Sequence, residues 1–298
     1  MNTKDRGPNR PVRYPSARRG DAVDLRGKAP RWLRDWGRHG LLQWGRLSAS
    51  RRSTATLIII GAQRAGSTSL YRYLVRQEAV LRGLTKEVRY FDVHYDRGVD
   101  WYRGHFPTVR YLDAIERRTG VRPAVCEASP DYLYHHDVPA RLAELIPDAR
   151  LVALLRDPVE RAYSHFQHEK ALGFETLTFE EAIDAEPDRL RGHDPFAQQH
   201  HSYCARGRYL EQLDRWLDVV DRSQLLVVRA EDFFMEPEHI VNEVLDHAGL
   251  PTGARGPFPR QNSLRYDGID PVVRESVERS FAPHNDALAG RFGARFRW

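Results

Sequence analysis

The residues best placed for chemistry lie in Gly61-Ala62-Gln63-Arg64-Ala65-Gly66-Ser67-Thr68-Ser69. Gly61 and Gly66 bound a short loop, and glycine tolerates positive φ and lets a ligand come close to the backbone. Ser67, Thr68 and Ser69 then stand where hydroxyl residues commonly open a helix. Free N–H groups and the positive end of the helix dipole converge at such a turn, which makes it a ready anion site. The plainer reading is a βα connection whose serines only cap the helix. Gly61, Gly66 and Thr68 fit the phosphate-loop spacing G-x-x-x-x-G-K-[ST], but Ser67 takes the Lys position. That Lys reaches the β- and γ-phosphates of a nucleoside triphosphate. The pattern therefore supports a phosphate-cradling loop and speaks against an ATPase or GTPase. Arg64 is the loop's only cation.

Three further stretches carry reactive side chains. Arg156-Asp157-Pro158-Val159-Glu160-Arg161-Ala162-Tyr163-Ser164 places an Arg where it can fork two hydrogen bonds onto a phosphate, with Ser164 two turns further on. Salt bridging between Asp157 and Arg161 at a helix start is the plainer account. Lys86-Glu87-Val88-Arg89-Tyr90-Phe91-Asp92 sets Glu87 between two cations. A carboxylate beside a bound hydroxyl can act as general base, whereas a solvated surface segment would look the same. In Glu127-Ala128-Ser129-Pro130-Asp131-Tyr132, Ser129 can donate to an anion, and Asp131 reads as a helix cap or a substrate contact. The pairs His135-His136 and His200-His201 read as non-ligands, because adjacent side chains do not converge on one metal.

Strands and helices must position these groups. The apolar run Leu57–Ile60, bounded by Gly61, reads as a strand buried on both faces. Pro123–Glu127, Arg150–Leu155 and Gln224–Val228 are the further strand candidates. Helical spacing covers Ser69–Gln77, Val138–Leu145, Val159–Ala171, Tyr209–Val220 and Pro237–Ala248. Short buried strands alternating with helices indicate a parallel sheet flanked by helices, with ligands at the carboxyl ends of the strands. That rule brings Gly61–Thr68, Glu127–Asp131 and Arg156–Ser164 to one rim. Residues 172–207 show weak periodicity and read as a lid, a substrate loop or a plain surface loop.

The 298 residues, 41% hydrophobic and 29% charged, suit a soluble globular protein with one large α/β domain or two small ones. Two cysteines exclude a disulfide framework. No apolar run approaches the length of a membrane span, and no apolar signal-peptide core follows the first residues, so a cytoplasmic location is the default expectation. The net charge of +5 divides unevenly. Residues 1–55 carry 14 basic and 4 acidic side chains, so the high pI belongs to the N-terminal extension and does not make the body a nucleic-acid binder. Residues 1–29 have the composition of a disordered segment. Across 30–47, Leu33, Trp36, Trp44 and Leu47 could line one side of a helix, with Arg31, Arg34, Arg38 and Arg46 elsewhere. Such a helix suits peripheral contact with an anionic membrane, or packing on the domain. Gly37, Gly40 and Gly45 each weaken it by roughly 1 kcal/mol.

Taken together, Gly61–Leu70, Lys86–Asp92 and Arg156–Phe166 resemble the sulfotransferases that use 3′-phosphoadenosine 5′-phosphosulfate (PAPS), in the branch containing heparan-sulfate sulfotransferases and bacterial relatives. Gly207–Leu217, Gln224–Asp232 and Pro283–Trp298 extend the similarity over residues 56–298. The resemblance implies a P-loop-NTPase-like α/β fold. That is one sulfotransferase domain over 56–298, with a parallel sheet flanked by helices and a basic extension over 1–55. It implies that Arg64, Ala65, Gly66, Ser67, Thr68 and Ser69 bind the 5′-phosphosulfate of PAPS, and that Arg156 and Ser164 bind the 3′-phosphate. It also implies that Glu87 is the catalytic base and that Arg64 stabilises the leaving phosphate. The donor needs no metal, and the acceptor is a hydroxyl of a small molecule, carbohydrate or glycolipid. Three positions depart from the family pattern: Arg64 replaces the usual Lys, Arg89 stands where a His is common, and Ala128 replaces a Lys of the glycosaminoglycan enzymes. A nucleotide kinase on the same sheet and a non-catalytic protein that binds phosphorylated ligands or membranes are the alternatives.

Overall fold

The structure, a computed structural model, describes residues 40–259 and 268–298. The expected disorder over 1–29 and the first part of the expected helix over 30–47 lie outside the described residues. Among those residues, five strands form one parallel sheet in the order β2-β3-β1-β4-β5. The central strand β1 (Leu57–Gly61) is buried at every position, between β3 (Ala124–Ala128) and β4 (Arg150–Leu155). β2 (Val80–Arg82) and β5 (Leu225–Arg229) form the edges. A strand covered on both faces by helices needs apolar residues at successive positions, which is why Leu57-Ile58-Ile59-Ile60 runs without alternation.

The helices are α1 (Ser67–Leu74), α2 (Val99–Arg103), α3 (Val109–Thr119), α4 (Val138–Leu145), α5 (Pro158–Leu172), α6 (Phe179–Leu190), α7 (Pro195–His200), α8 (Tyr209–Leu217), α9 (Ala230–Met235), α10 (Pro237–His247) and α11 (Pro271–Phe292). Three of them start the same way. Asp157, Asp194 and Asp270 each cap a helix whose first residue is proline, their carboxylates accepting from backbone N–H groups of the first turn.

Several segments differ from the sequence-based expectation. β3 and β5 each lie one residue further along the chain, while β4 and α4 fall where expected. Residues 172–207 are not a loop. α6 opens on a capping box between Thr178 and Glu181, α7 follows, and both belong to a folded segment. Phe179, Ala182 and Tyr203 join Val159, Ala162 and Phe166 of α5 and Val277 and Phe281 of α11 in a second apolar core. Asp157 caps its own helix, and Arg161 turns away from it to donate to the Tyr203 carbonyl, so the expected Asp157–Arg161 bridge is replaced by a cap and a buried tie.

Residues 40–47 are helical and pack on this body through Gly45. A Cβ there would collide with the backbone of Gly104, so glycine is required for the approach. Leu41, Trp44 and Leu47 point outward instead. No helix among the described residues is long and apolar enough to cross a membrane.

Candidate active site

β1 delivers the chain into the loop, and α1 receives it. Gly66 is the N-cap of α1 with φ of 102°, and no side chain caps the helix. An L-residue at that φ is strained, and a Cβ would stand 2.9 Å from the Phe234 ring. The Ser67 and Thr68 N–H groups thus open α1 with no side-chain cap over them, at the positive end of the helix dipole. Ser67 and Ser69 are buried there. Arg64 sits in the left-handed region, with φ of 68°.

Two elements converge on this loop. From the end of β4, Arg156 Nη1 donates to the Arg64 carbonyl at 3.3 Å. The Tyr209 hydroxyl holds the Arg156 carbonyl at 2.7 Å. Ser164 lies on the second turn of α5, and Arg64 Nε donates to its Oγ at 3.2 Å. Arg64 thus forms one contiguous polar group with Arg156 and Ser164, which lie 92 and 100 residues further along the chain. Ser164, two turns along its helix, reaches the loop because α5 runs back beside it.

The segment carrying Glu87 approaches from the other side. Lys86 Nζ donates to Thr68 Oγ1 at 2.8 Å and to Glu87 Oε1 at 2.6 Å. Glu87 is 43% exposed, so its carboxylate is open to an incoming molecule. The end of β3 pins this segment: Ala128 N donates to the Lys86 carbonyl, and Arg89 N donates to Ser129 Oγ. Beneath it lies Glu127, fully buried, which accepts from Tyr102, Tyr132 and Ser129 hydroxyls at 2.8–2.9 Å. Burial raises the Glu127 carboxyl to about 7, against the downward pull of those three donors. Ser129, read from sequence as an anion donor, is committed to Glu127 instead.

Asp131 is neither a cap nor an open contact. It pairs with Arg89 at 2.9 Å and Arg206 at 2.6 Å. Burial works to raise its pKa, and the two guanidiniums overcome that and hold it well below the ordinary carboxylate range. Arg206 lies at the end of the 172–207 segment, so this pair joins that segment to the rim. Sequence reasoning missed Lys86 as a loop contact and Arg206 altogether. The only sequence sign of Lys86 was its place beside Glu87, and Arg206 gave none. His200 is bonded to Glu169 at 2.7 Å. Among the described residues no group of three or more His, Cys, Asp or Glu side chains could hold a metal.

Known proteins are similar to this chain in sequence and fold. The sulfotransferase domain family matches residues 54–264. The chain belongs to that family. It is similar to the crystal structure of a sulfotransferase from Alicyclobacillus acidocaldarius, with 31% identity and a TM-score of 0.63 over 83% of this chain and 100% of that one. Among curated relatives, it is 25% identical to the membrane-associated sulfotransferase kil1 of Dictyostelium discoideum, over 81% of this chain and 66% of that protein. It is 29% identical to a human bifunctional heparan sulfate N-deacetylase/N-sulfotransferase, over 65% of this chain but 22% of that protein. The chain thus spans about a fifth of the bifunctional relative's length. In this member of the sulfotransferase family, the departure at Arg89 has a structural counterpart. Its guanidinium also pairs with Asp92 at 2.8 Å, and it spans Asp92 and Asp131.

Proposed function

We propose that this chain transfers the sulfuryl group of PAPS to a hydroxyl of an acceptor by in-line displacement. The observation that supports it best is the convergence on one uncapped helix start. Arg156 meets the loop carbonyl, Arg64 meets Ser164, and Lys86 meets both Thr68 and Glu87. In this reading Arg64, Ala65, Gly66, Ser67, Thr68 and Ser69 hold the 5′-phosphosulfate, and Arg156 with Ser164 holds the 3′-phosphate. Glu87 takes the acceptor's hydroxyl proton, the acceptor oxygen bonds to sulfur, and the bond from sulfur to the bridging oxygen breaks. The electron pair leaves on the 5′-phosphate of adenosine 3′,5′-bisphosphate (PAP). Positioning and charge neutralisation supply most of the acceleration in such transfers. Carbohydrates and glycolipids are the proposed acceptor class, because Glu87 is open to solvent and the relatives include heparan sulfate enzymes.

The test is transfer of labelled sulfate from PAPS to a panel of hydroxyl acceptors. Glu87→Gln is expected to lower turnover about a hundredfold or more while PAP binding persists. Unchanged turnover in that variant would remove Glu87 from the role of base.

We also propose peripheral contact with an anionic membrane through the N-terminal segment. The supporting observation is the outward apolar face of the 40–47 helix, where Leu41, Trp44 and Leu47 are 55%, 61% and 88% exposed. Arg46 and Arg51 lie on the same short stretch, and the Dictyostelium relative is described as membrane-associated.

A further inference from the structure

Arg64 within the loop and Lys86 beside it face different neighbours. Arg64 reaches Ser164 on α5, on the side of Arg156. Lys86 comes from a different connection and touches Thr68 of the loop and Glu87 with one ammonium group. If the donor lies as proposed above, the reacting atoms form a line: acceptor oxygen, sulfur, bridging oxygen, phosphorus. Glu87 stands at the acceptor end of that line, and Thr68 at the phosphate end. A group bonded to both stands beside sulfur.

We infer that Lys86 is the catalytic cation for the sulfuryl group itself, and that Arg64 serves the phosphates. This deepens the proposed PAPS reading and rests on it. Ser67 stands at the phosphate-loop Lys position, and an ammonium reaches the loop at Thr68 from the segment after β2. During transfer the sulfuryl oxygens keep their negative charge while sulfur exchanges one oxygen partner for another. The acceptor O–H proton goes to Glu87, and the electron pair of the broken bond goes to the departing phosphate. Lys86 loses no proton in this scheme. It screens the charge on the sulfuryl oxygens that would repel the acceptor's lone pair, and it places the Glu87 carboxylate by the 2.6 Å bond. The side chain is 20% exposed, so the ammonium is partly withdrawn from solvent, where a charge–charge contact is stronger.

PAPS and PAP differ by this one group, and that difference is the test. Dissociation constants for both nucleotides are measured by calorimetry on the full chain, with Lys86→Met, Lys86→Arg and Arg64→Met. The wild type is expected to bind PAPS more tightly than PAP. In Lys86→Met, PAPS binding should weaken about tenfold or more while PAP binding stays within about threefold. Lys86→Arg should recover part of the preference. Arg64→Met should weaken both nucleotides alike. PAP binding by Lys86→Met also reports that the variant is folded. The inference is overturned if Lys86→Met weakens both nucleotides equally, or neither. A wild type that binds neither nucleotide removes the PAPS reading and the inference with it. That failure is visible before any variant is compared.

Discussion

At the scale of single residues, Glu127 ties the stability of the fold to pH. It is a carboxylic acid with no exposure, surrounded by three hydroxyl donors, directly below the segment that bears Lys86 and Glu87. Its folded-state value of about 7 lies above the ordinary value of 4.5. The folded chain therefore holds a proton that the unfolded chain releases between these two values. The stability from this group is fully present below about pH 4.5 and declines as pH rises through about 7, by roughly 3 kcal/mol in all. Glu127→Gln keeps the shape and fixes the group neutral, and the neighbouring hydroxyls can turn to suit an amide. The wild type should lose thermal stability between pH 5 and pH 8, and the variant should lose much less over the same interval. Identical slopes in the two melting series would show that Glu127 does not titrate there.

At the scale of elements, the question is what holds the 172–207 segment to the sheet. Its sequence is polar and weakly periodic, yet its two helices are anchored by buried ionic groups. Glu175 pairs with Arg189 and accepts from Tyr203, and Glu186 accepts the backbone N–H groups of Cys204 and Ala205. Arg206 then bonds Asp131 at the end of β3. Removing one member of a buried ionic group leaves its partners charged and unsolvated. Asp131→Asn is therefore expected to destabilise the fold by about 3–5 kcal/mol in urea unfolding. It should also loosen the segment bearing Glu87, because Arg89 shares the same carboxylate. A loss below about 1 kcal/mol would mean that water replaces the pair at little cost.

At the scale of the whole molecule, the exposed face of the 40–47 helix is the feature that bears on location. Trp44 and Leu47 are large, apolar and turned outward on an element that is itself fixed to the body through Gly45. Tryptophan and leucine beside arginines suit the boundary between lipid headgroups and acyl chains. In sedimentation with vesicles, the full chain should bind those containing phosphatidylglycerol and release at high salt. The double substitution Trp44→Ser and Leu47→Ser should reduce the bound fraction severalfold without loss of PAP binding. Equal binding by the two proteins would place the contact elsewhere.

What could be read in the sequence was what depends on local order. The run Leu57-Ile58-Ile59-Ile60, the glycine-bounded turn and the hydroxyl-rich helix start each follow from the geometry of a few neighbouring residues. So did the parallel α/β class, because buried strands alternating with helices leave few other solutions. The three-residue β2 escaped, since a strand that short has no period to detect. The helices over 172–207 escaped for a different reason: buried carboxylates share with a small apolar cluster the work of holding them, which leaves little period in the sequence, and the Thr178–Glu181 capping box was the local mark they carried. Partnership across long separations was decided by the tertiary structure alone. Nothing local says that Arg64 turns to Ser164, that Ser129 is committed to Glu127, or that the cation on Thr68 is Lys86. These choices arise when β2, β3, β1 and β4 are laid side by side, because that register brings the chain segments that follow them to one rim.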